Sequence, residues 1–249
     1  MTHRFAAMLL NAALALGSTG ALAIGATSIS PVMVDVPVQG RAIVTVRNDH
    51  AREMLYQVNI LNWHVAEGAD VYTSSHDFIA SPPLFTLAPH ASQVVRIGFR
   101  SPVHHPVEQA YRLMLAEVPR PGSATEGAGV VEFALQYLVP VFVAPTRREA
   151  QPSLTWSLRA DGDAWVVRAD NTGDRRMALD GVGLVRGTAT EPEKVNRQRH
   201  TVLARSWREW RFPVPPQAED GPWRVAMFPS GGTRPVIVPD VDMRTFSPR

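Results

Sequence analysis

Hydrophobic and polar residues alternate along most of this chain in short runs, which are separated by Pro, Gly, Asn and Asp. A period of two is typical of half-buried β-strands, whereas amphipathic helices need a period of about 3.6, which no such run shows. Strand-like runs at this spacing predict an all-β sandwich architecture. The runs are ATSISPVMVDVP, RAIVTVRND, LYQVNILNW, SQVVRIGF, AYRLMLAEVP and VVEFALQYLVPVFVAP, and then SLTWSLRA, AWVVRADN, ALDGVGLV, WREWRFPV, WRVAMFP and VIVPDV.

The run VVEFALQYLVPVFVAP, residues 130–145, is long compared with an ordinary strand of about five or six residues. Its first half alternates apolar and polar residues, as a strand with one buried face does. From Leu138 to Phe142 both faces are apolar, which indicates burial on both sides. Pro140 cannot donate a ladder hydrogen bond, so it favours a sheet edge or a bulge. We therefore expect an apolar face at a sheet edge that something else must cover.

The first 23 residues have the features of a secretory signal peptide. They combine a basic start at Arg4, an apolar run that ends at Leu16, and the small-x-small site Ala21-Leu22-Ala23. The alternative is a membrane anchor, but a spanning helix needs about 20 apolar residues and the run is shorter. We expect cleavage after Ala23 and an exported chain that begins at Ile24.

The remaining chain is long enough for two medium domains. The segment TRREAQPS, which follows Pro145, is polar and charged and contains a proline, so it is interpreted as a linker. We predict a first domain over residues 24–146 and a second domain over residues 147–249. Each would be large enough to form its own hydrophobic core.

Composition and charge exclude several classes of protein. Hydrophobic residues make up 45% of the sequence and charged residues 19%, a balance typical of globular proteins. The chain has no cysteine, which excludes disulfides, thiol chemistry and zinc–thiolate sites. The net charge is only +2, and neither a basic run nor a stacking motif indicates binding to nucleic acid.

Nothing in the sequence indicates an enzyme, a metal site or a cofactor. The histidines are scattered, and the adjacent pair His104-His105 would point to opposite sides of an extended chain. A metal site needs several imidazole or carboxylate groups that converge on one ion. No glycine-x-serine nucleophile pattern and no phosphate-cradling glycine motif occurs. We expect no catalytic residues and no metal.

Four segments, in this order along the chain, resemble the periplasmic chaperones of chaperone–usher pilus assembly. Asn48-Asp49 closes the second strand, SPPLFTLAPHASQVVRI has the proline-rich stretch that leads to Arg-Ile, and YRLMLAEVP has the Glu-Val-Pro ending. The fourth is VVEFALQYLVPVFVAP, whose LVPVFVAP ending is most similar to the archaic branch of the family. The resemblance implies two immunoglobulin-like β-sandwich domains in an L-shaped arrangement, located in the periplasm.

The resemblance also implies a function for the long strand. Such chaperones fold and cap pilus subunits by lending them a strand, here residues 130–143, and deliver them to an outer-membrane usher. The implied partners are pilins and an usher, with no nucleic acid, no membrane insertion and no cofactor. Self-association through the same edge is a further expectation. The side chains expected to enter the groove of the subunit are Val131, Phe133, Leu135 and Tyr137.

The usual cationic anchors for the carboxyl terminus of the subunit are not present in this chain. By the resemblance, these positions hold Met33 and Pro140, neither of which can bind a carboxylate. Arg112, on the strand expected beside the long strand, is the first candidate for this role, and Arg96 is the second. A solvated strand arginine is the alternative for each of them.

Two further expectations concern the contact between the domains and an alternative function. The resemblance assigns Glu117 to the salt bridge between the domains, although Ala144 stands where the family has the arginine partner. The alternative function is an exported β-sandwich adhesin or carbohydrate-binding protein, because a fold does not fix a function. Such a binding module would not need an unpaired apolar edge.

Overall fold

The computed structural model describes residues 26–38, 40–101, 104–119, 134–213 and 222–244. Every regular element within these ranges is a β-strand, so the all-β prediction is confirmed. The described part of the chain contains no helix with the length and apolar character to cross a membrane. The strands are β1 Thr27–Ser30, β2 Val34–Val36, β3 Arg41–Asn48, β4 Met54–Ala66, β5 Ala69–Ser74, β6 Phe78–Ser81, β7 Leu84–Leu87, β8 Ser92–Phe99, β9 Gln109–Val118, β10 Gln136–Val143, β11 Leu154–Asp161, β12 Ala164–Asn171, β13 Met177–Arg186, β14 Lys194–Asn196, β15 His200–Val202, β16 Ser206–Phe212, β17 Trp223–Pro229, β18 Val236–Ile237 and β19 Val241–Arg244.

The strands β1 to β10 form two facing sheets, the first sandwich. One sheet has the order β1-β3-β8-β6, and the other has the order β2-β10-β9-β4-β5 with β7 also paired to β4. The chain changes sheets between β1 and β2, so β1 lies on one sheet and β2 pairs in parallel with β10 on the other. Short strands such as β5 and β6 lack a clear alternation of apolar residues, and the sequence patterns did not predict them.

Alternation places one face of each strand in the core of the first sandwich. On β9, Tyr111, Leu113, Leu115 and Glu117 are buried while the residues between them are partly exposed. The same alternation on β3 buries Val44 and Val46. The apolar side chains among these join one cluster that includes Val139, Val141 and Val143 of β10, so the second half of β10 is a core strand.

The strands β11 to β19 form the second sandwich. Its sheets have the orders β16-β12-β11-β19 and β14-β13-β17-β18, with β15 also paired to β13. Its core includes Trp156, Leu158 and Trp210, and the two tryptophan rings lie 6.2 Å apart. Each domain is therefore a two-sheet β-sandwich with a core of its own, as the immunoglobulin-like prediction requires. The domain boundary at residue 146 stays a prediction.

The two sandwiches share one local device at the end of a strand. Asn48 ends β3, and its amide nitrogen donates hydrogen bonds to three backbone carbonyls, among them that of Arg52. Asn171 ends β12 and donates in the same way, with the carbonyl of Arg175 at the equivalent position four residues on. An amide side chain satisfies carbonyls that a loop would otherwise leave unpaired. The repeat is structural, and no comparable sequence repeat marks it.

Candidate functional site

One side of β10 has an open edge in the described structure. Along its whole length β10 pairs with β9, from Gln136 opposite Ala116 to Val143 opposite Gln109. On its other side, β2 pairs only with Val141, Phe142 and Val143. The stretch Gln136–Pro140, called the open edge below, therefore has no strand beside it among the described residues. The position of Pro140 at this edge agrees with its missing N–H.

The open edge borders a crevice between the two sheets. A cavity of about 450 Å³ lies between β1 and β10 and is lined by residues that include Thr27, Ile29 and Val32. Apolar side chains around it are exposed: Val32 by 79%, Leu135 by 46% and Leu138 by 41%. An unpaired edge with apolar side chains is a template for an additional strand.

The predicted groove residues occupy different environments. Val131 and Phe133 lie outside the described residues. Leu135 is exposed directly before β10, as a side chain that contacts a partner would be. Tyr137 instead packs against the core of its own sandwich, and its hydroxyl donates to Glu117 at 3.2 Å. Tyr137 is therefore directed toward the core of its own sandwich and not toward a partner.

Arg112 lies on β9 opposite Pro140 of β10, as expected. Its guanidinium stacks over the ring of Trp63 at 3.8 Å and lies 5.8 Å from the ring of Tyr72. One amino group lies 3.4 Å from the carbonyl of Leu138, and the buried Nε has no hydrogen-bond partner. The described residues provide no ion-pair partner for this cation, so it is available for a carboxylate beside the open edge.

Arg96 occupies a different surface. It lies on β8 of the other sheet, so the structure does not bring it together with Arg112. It borders a groove of about 600 Å³ on the outer face of that sheet, together with Arg41, Ile43 and Ile79. The two isoleucines are 58% and 45% exposed.

Glu117 does not connect the domains, so the sequence-based assignment was wrong. Its side chain is only 3% exposed, and its described partners all belong to the first sandwich. Thr27 donates to it at 2.9 Å and Tyr137 at 3.2 Å, while the backbone N–H of Leu135 donates at 3.3 Å. The alternation on β9 turns Glu117 inward, away from the second domain.

Arg176 and Glu108 form the ion pair between the domains that the sequence had assigned to Glu117. One amino group of Arg176 binds the Glu108 carboxylate at 2.5 Å, and the backbone N–H of Arg176 also donates to it at 3.0 Å. The other amino group reaches Asp35 of β2 at 2.7 Å. The same guanidinium lies 3.7 Å above the ring of Phe142 on β10. Glu108 lies two residues before the predicted strand AYRLMLAEVP, but no sequence signal connects it with a residue 68 positions later.

A second contact between the domains involves Arg208, which is almost fully buried. It donates to the carboxylate of Asp70 and, at 3.0 Å, to the carbonyl of Gly68. Trp63 also donates to Asp70, at 2.6 Å. Burial opposes ionisation of Asp70, but these hydrogen bonds and the Arg208 charge outweigh it and lower its pKa. A side chain at Gly68, where φ is +80°, would collide with Trp207.

A cavity of about 520 Å³ lies where the two sandwiches meet. Trp63, Glu108 and Tyr111 line it from the first sandwich, and Leu203 and Arg205 line it from the second. Leu203 also packs with Trp63 and Phe142 in a small apolar cluster. The described residues contain no group of three or more potential metal ligands.

The first sandwich matches a protein-family model described as pili and flagellar-assembly chaperone, PapD N-terminal domain, over residues 28–149. A comparison with curated protein sequences finds no match.

Solved structures of chaperones share the fold of both sandwiches. The CsuC–CsuE chaperone–tip adhesion subunit pre-assembly complex, from the archaic chaperone-usher Csu pili of Acinetobacter baumannii, matches at 18% identity with a TM-score of 0.64, covering 88% of this chain and 99% of that one. The complex of the Salmonella enterica SafA pilin with the SafB chaperone matches at 16% identity with a TM-score of 0.60, covering 86% and 95%. The E. coli chaperone DraB matches at 19% identity with a TM-score of 0.59, covering 86% and 96%.

Proposed function

We propose that this chain, which matches the family model of pili and flagellar-assembly chaperones over residues 28–149, captures pilus subunits on the open edge of β10. In this proposal the chain is exported to the periplasm, binds a subunit (the client) as it folds, and delivers it to an outer-membrane usher. The observation that carries the proposal is the open edge itself, since Gln136–Pro140 lack a neighbouring strand and apolar side chains surround them.

The physical basis of capture is strand addition. A client that lacks a strand of its own sandwich exposes an apolar groove, and the open edge offers main-chain N–H and C=O groups that can pair with the edge of that groove. The donor segment, residues 130–135, precedes this edge and would supply Val131, Phe133 and Leu135 to the groove. The relatives that were solved as complexes contain a chaperone with a tip adhesion subunit or with a pilin, which supports this pairing of partners.

Arg112 is the residue that we propose to hold the carboxyl terminus of the client. It lies one strand away from the open edge, and its cation has no carboxylate partner among the described residues. The stacking on Trp63 holds the guanidinium in one orientation, and a planar guanidinium can bind a carboxylate through two hydrogen bonds. Arg112 would thus replace the cationic positions that Met33 and Pro140 occupy here.

The groove beside Arg96 supports delivery to an usher. It lies on the sheet opposite the open edge, so a bound client would leave it accessible. It combines exposed isoleucines with Arg41 and Arg96, which favours a partner surface that is apolar and acidic. We therefore propose that the usher contacts the chaperone–client complex here.

Co-expression with candidate pilin subunits tests the proposed function. We expect a pilin to accumulate in the periplasm only together with this protein and to co-purify with it in a stable complex. The purified protein should begin at Ile24. A pilin that folds and accumulates equally well without the chain, or a chain recovered from the cytosol with Met1 intact, would contradict the proposal.

A further inference from the structure

A buried carboxylate lies beside the residue at which the chain enters β10. The oxygen atoms of Glu117 accept hydrogen bonds from Thr27 on β1, from Tyr137 on β10 and from the backbone of Leu135. Tyr56 of β4 bonds to the Thr27 hydroxyl at 2.9 Å, which orients that donor. A carboxylate removed from water is tolerated only where donors surround it, and these donors come from both sheets of the first sandwich.

The contact with Leu135 has an unusual form for a ladder. Facing residues of an antiparallel pair often exchange two backbone hydrogen bonds. Here the Glu117 N–H donates to the Leu135 carbonyl at 2.9 Å, while the Leu135 N–H donates to the side chain of Glu117. One bond of the pair has therefore moved from the backbone to the carboxylate, and regular pairing begins at the next residue, Gln136.

We propose that Glu117 is a positioning residue for client capture. Its carboxylate fixes the point at which the donor segment joins β10 and so sets the register in which this segment meets a client strand. This inference rests on the proposed function. Register matters because a shift of one residue turns each side chain to the opposite face. A shift of two residues leaves each side chain on its original face but places it opposite the wrong position of the client strand.

A glutamine cannot accept all of the hydrogen bonds that this carboxylate accepts. One carboxylate oxygen accepts from Thr27 and Tyr137, and the other accepts from Leu135. An amide has a single oxygen, so Glu117→Gln either points its NH₂ group at the backbone N–H of Leu135, which is also a donor, or points it at the Thr27 and Tyr137 hydroxyls, which must then turn from donors into acceptors. The variant changes charge and hydrogen bonding while it keeps the size of the side chain.

The test uses a pilin subunit that co-purifies with the Leu138→Cys protein. The chain has no cysteine, so Leu138→Cys introduces the only thiol of the variant, and a photo-crosslinker can be attached to it at this exposed position. The crosslinked positions on the subunit are mapped by mass spectrometry with and without Glu117→Gln. We expect a narrow set of positions with Glu117 and a spread to positions about two residues away with glutamine, together with roughly tenfold less captured subunit.

Two further variants make the outcome decisive. Tyr56→Phe removes a hydroxyl whose hydrogen bond goes to Thr27 and not to Glu117 or Leu135, so it should lower the melting temperature and leave the crosslinks in place. Tyr137→Phe removes one donor to Glu117, should cause a smaller spread of crosslinks, and decides the question if Glu117→Gln does not fold. Unchanged crosslink positions in both Glu117→Gln and Tyr137→Phe would overturn the proposal. If the wild-type protein captures no subunit, it is the proposed function that fails; if only Leu138→Cys captures none, the crosslinker is placed at Gln136→Cys, another exposed position of β10.

Discussion

Arg112 differs from the arginines at the domain junction in the kind of partner that its guanidinium has. Arg176 and Arg208 bind carboxylates, whereas Arg112 lies over an indole ring. A cation–π contact contributes about 0.5–1 kcal/mol at a partly exposed site and leaves the edge of the guanidinium free for hydrogen bonds. A carboxylate that arrives at this edge would meet a cation that is already oriented.

We predict that Arg112→Ala folds normally and loses most client capture, by about 2–5 kcal/mol of binding free energy, because the client carboxylate loses its charged partner. Arg112→Lys should recover part of the loss, since it keeps the charge without the planar fork. Co-purified subunit per folded molecule is the measurement.

Arg96→Ala is the matched control for Arg112→Ala. It removes the same charge from the opposite sheet, so client capture should equal that of the wild type while usher binding weakens. If Arg112→Ala captures as much subunit as the wild type, the carboxylate anchor is a different residue.

Asp70 gives the domain contact a dependence on pH. Its pKa is lowered in the folded protein, so its contribution to stability is present above the ordinary aspartate pKa of about 3.9 and is lost as the pH falls through the folded value. We predict that the difference in unfolding midpoint between the wild type and Asp70→Asn is constant near neutral pH and shrinks below about pH 4.

Thermal or urea unfolding over a series of pH values would measure this difference. Asp163→Asn is the control, because Asp163 is an exposed carboxylate that lies 3.3 Å from Arg211 on the surface of the second sandwich. A midpoint difference for Asp70→Asn that is the same in acid as at neutral pH would contradict the assignment.

The strand β10 begins with an open edge and ends with three buried residues that pair with β2. We predict that Val141→Ser lowers the free energy of unfolding by about 2–4 kcal/mol, because Val141 is fully buried and a hydroxyl there has no partner. Leu135→Ser should change stability by less than about 0.5 kcal/mol, since Leu135 is exposed, and should lower client capture sharply. Phe133→Ser is expected to act as Leu135→Ser does.

Melting temperature and captured subunit per folded molecule separate these effects. The assignment of the donor segment would be wrong if Leu135→Ser melted early and still captured a normal amount of client. For Val141→Ser, unchanged stability would show that β10 is not a core strand at that point.

Strands could be predicted from the sequence where a single strand is long enough to show alternating apolar and polar residues, or a run of apolar residues, by itself. On β9 and in the second half of β10, alternation and apolar content are enough to identify a strand and its buried face. Short strands such as β14 have only three residues, too few to show an alternating pattern. Such a strand forms because it pairs with a neighbouring strand, here β13. The core position of Tyr137 was also missed, since its burial depends on Glu117 and Thr27 of other strands.

At the scale of the whole molecule, Arg176 connects the second sandwich to β2 and β10. We predict that Arg176→Ala lowers the free energy of unfolding by about 3–5 kcal/mol, because it leaves the buried Glu108 carboxylate without its partner. Arg147→Ala should have little effect, since that side chain is 66% exposed where it pairs with Asp174.

A double-mutant cycle with Glu108→Gln measures the energy of this contact. Urea unfolding of the two single variants and the double variant should show strong coupling. Additive effects would mean that the pair does not hold the domains together. The sequence could not predict this pair, because Glu108 and Glu117 lie near opposite ends of β9 and only the docking of two folded domains decides which of them meets an arginine.

The partial pairing of β2 with β10 has a consequence for the length of the client strand. A client strand that runs along the open edge toward β2 has to stop near Pro140, because β2 already occupies the edge from Val141 onward. The described edge is thus about 17 Å long, at roughly 3.3 Å for each of its five residues. The position at which β2 begins to pair would therefore set the same end point for the paired strand of every subunit, whatever the sequence of the subunit.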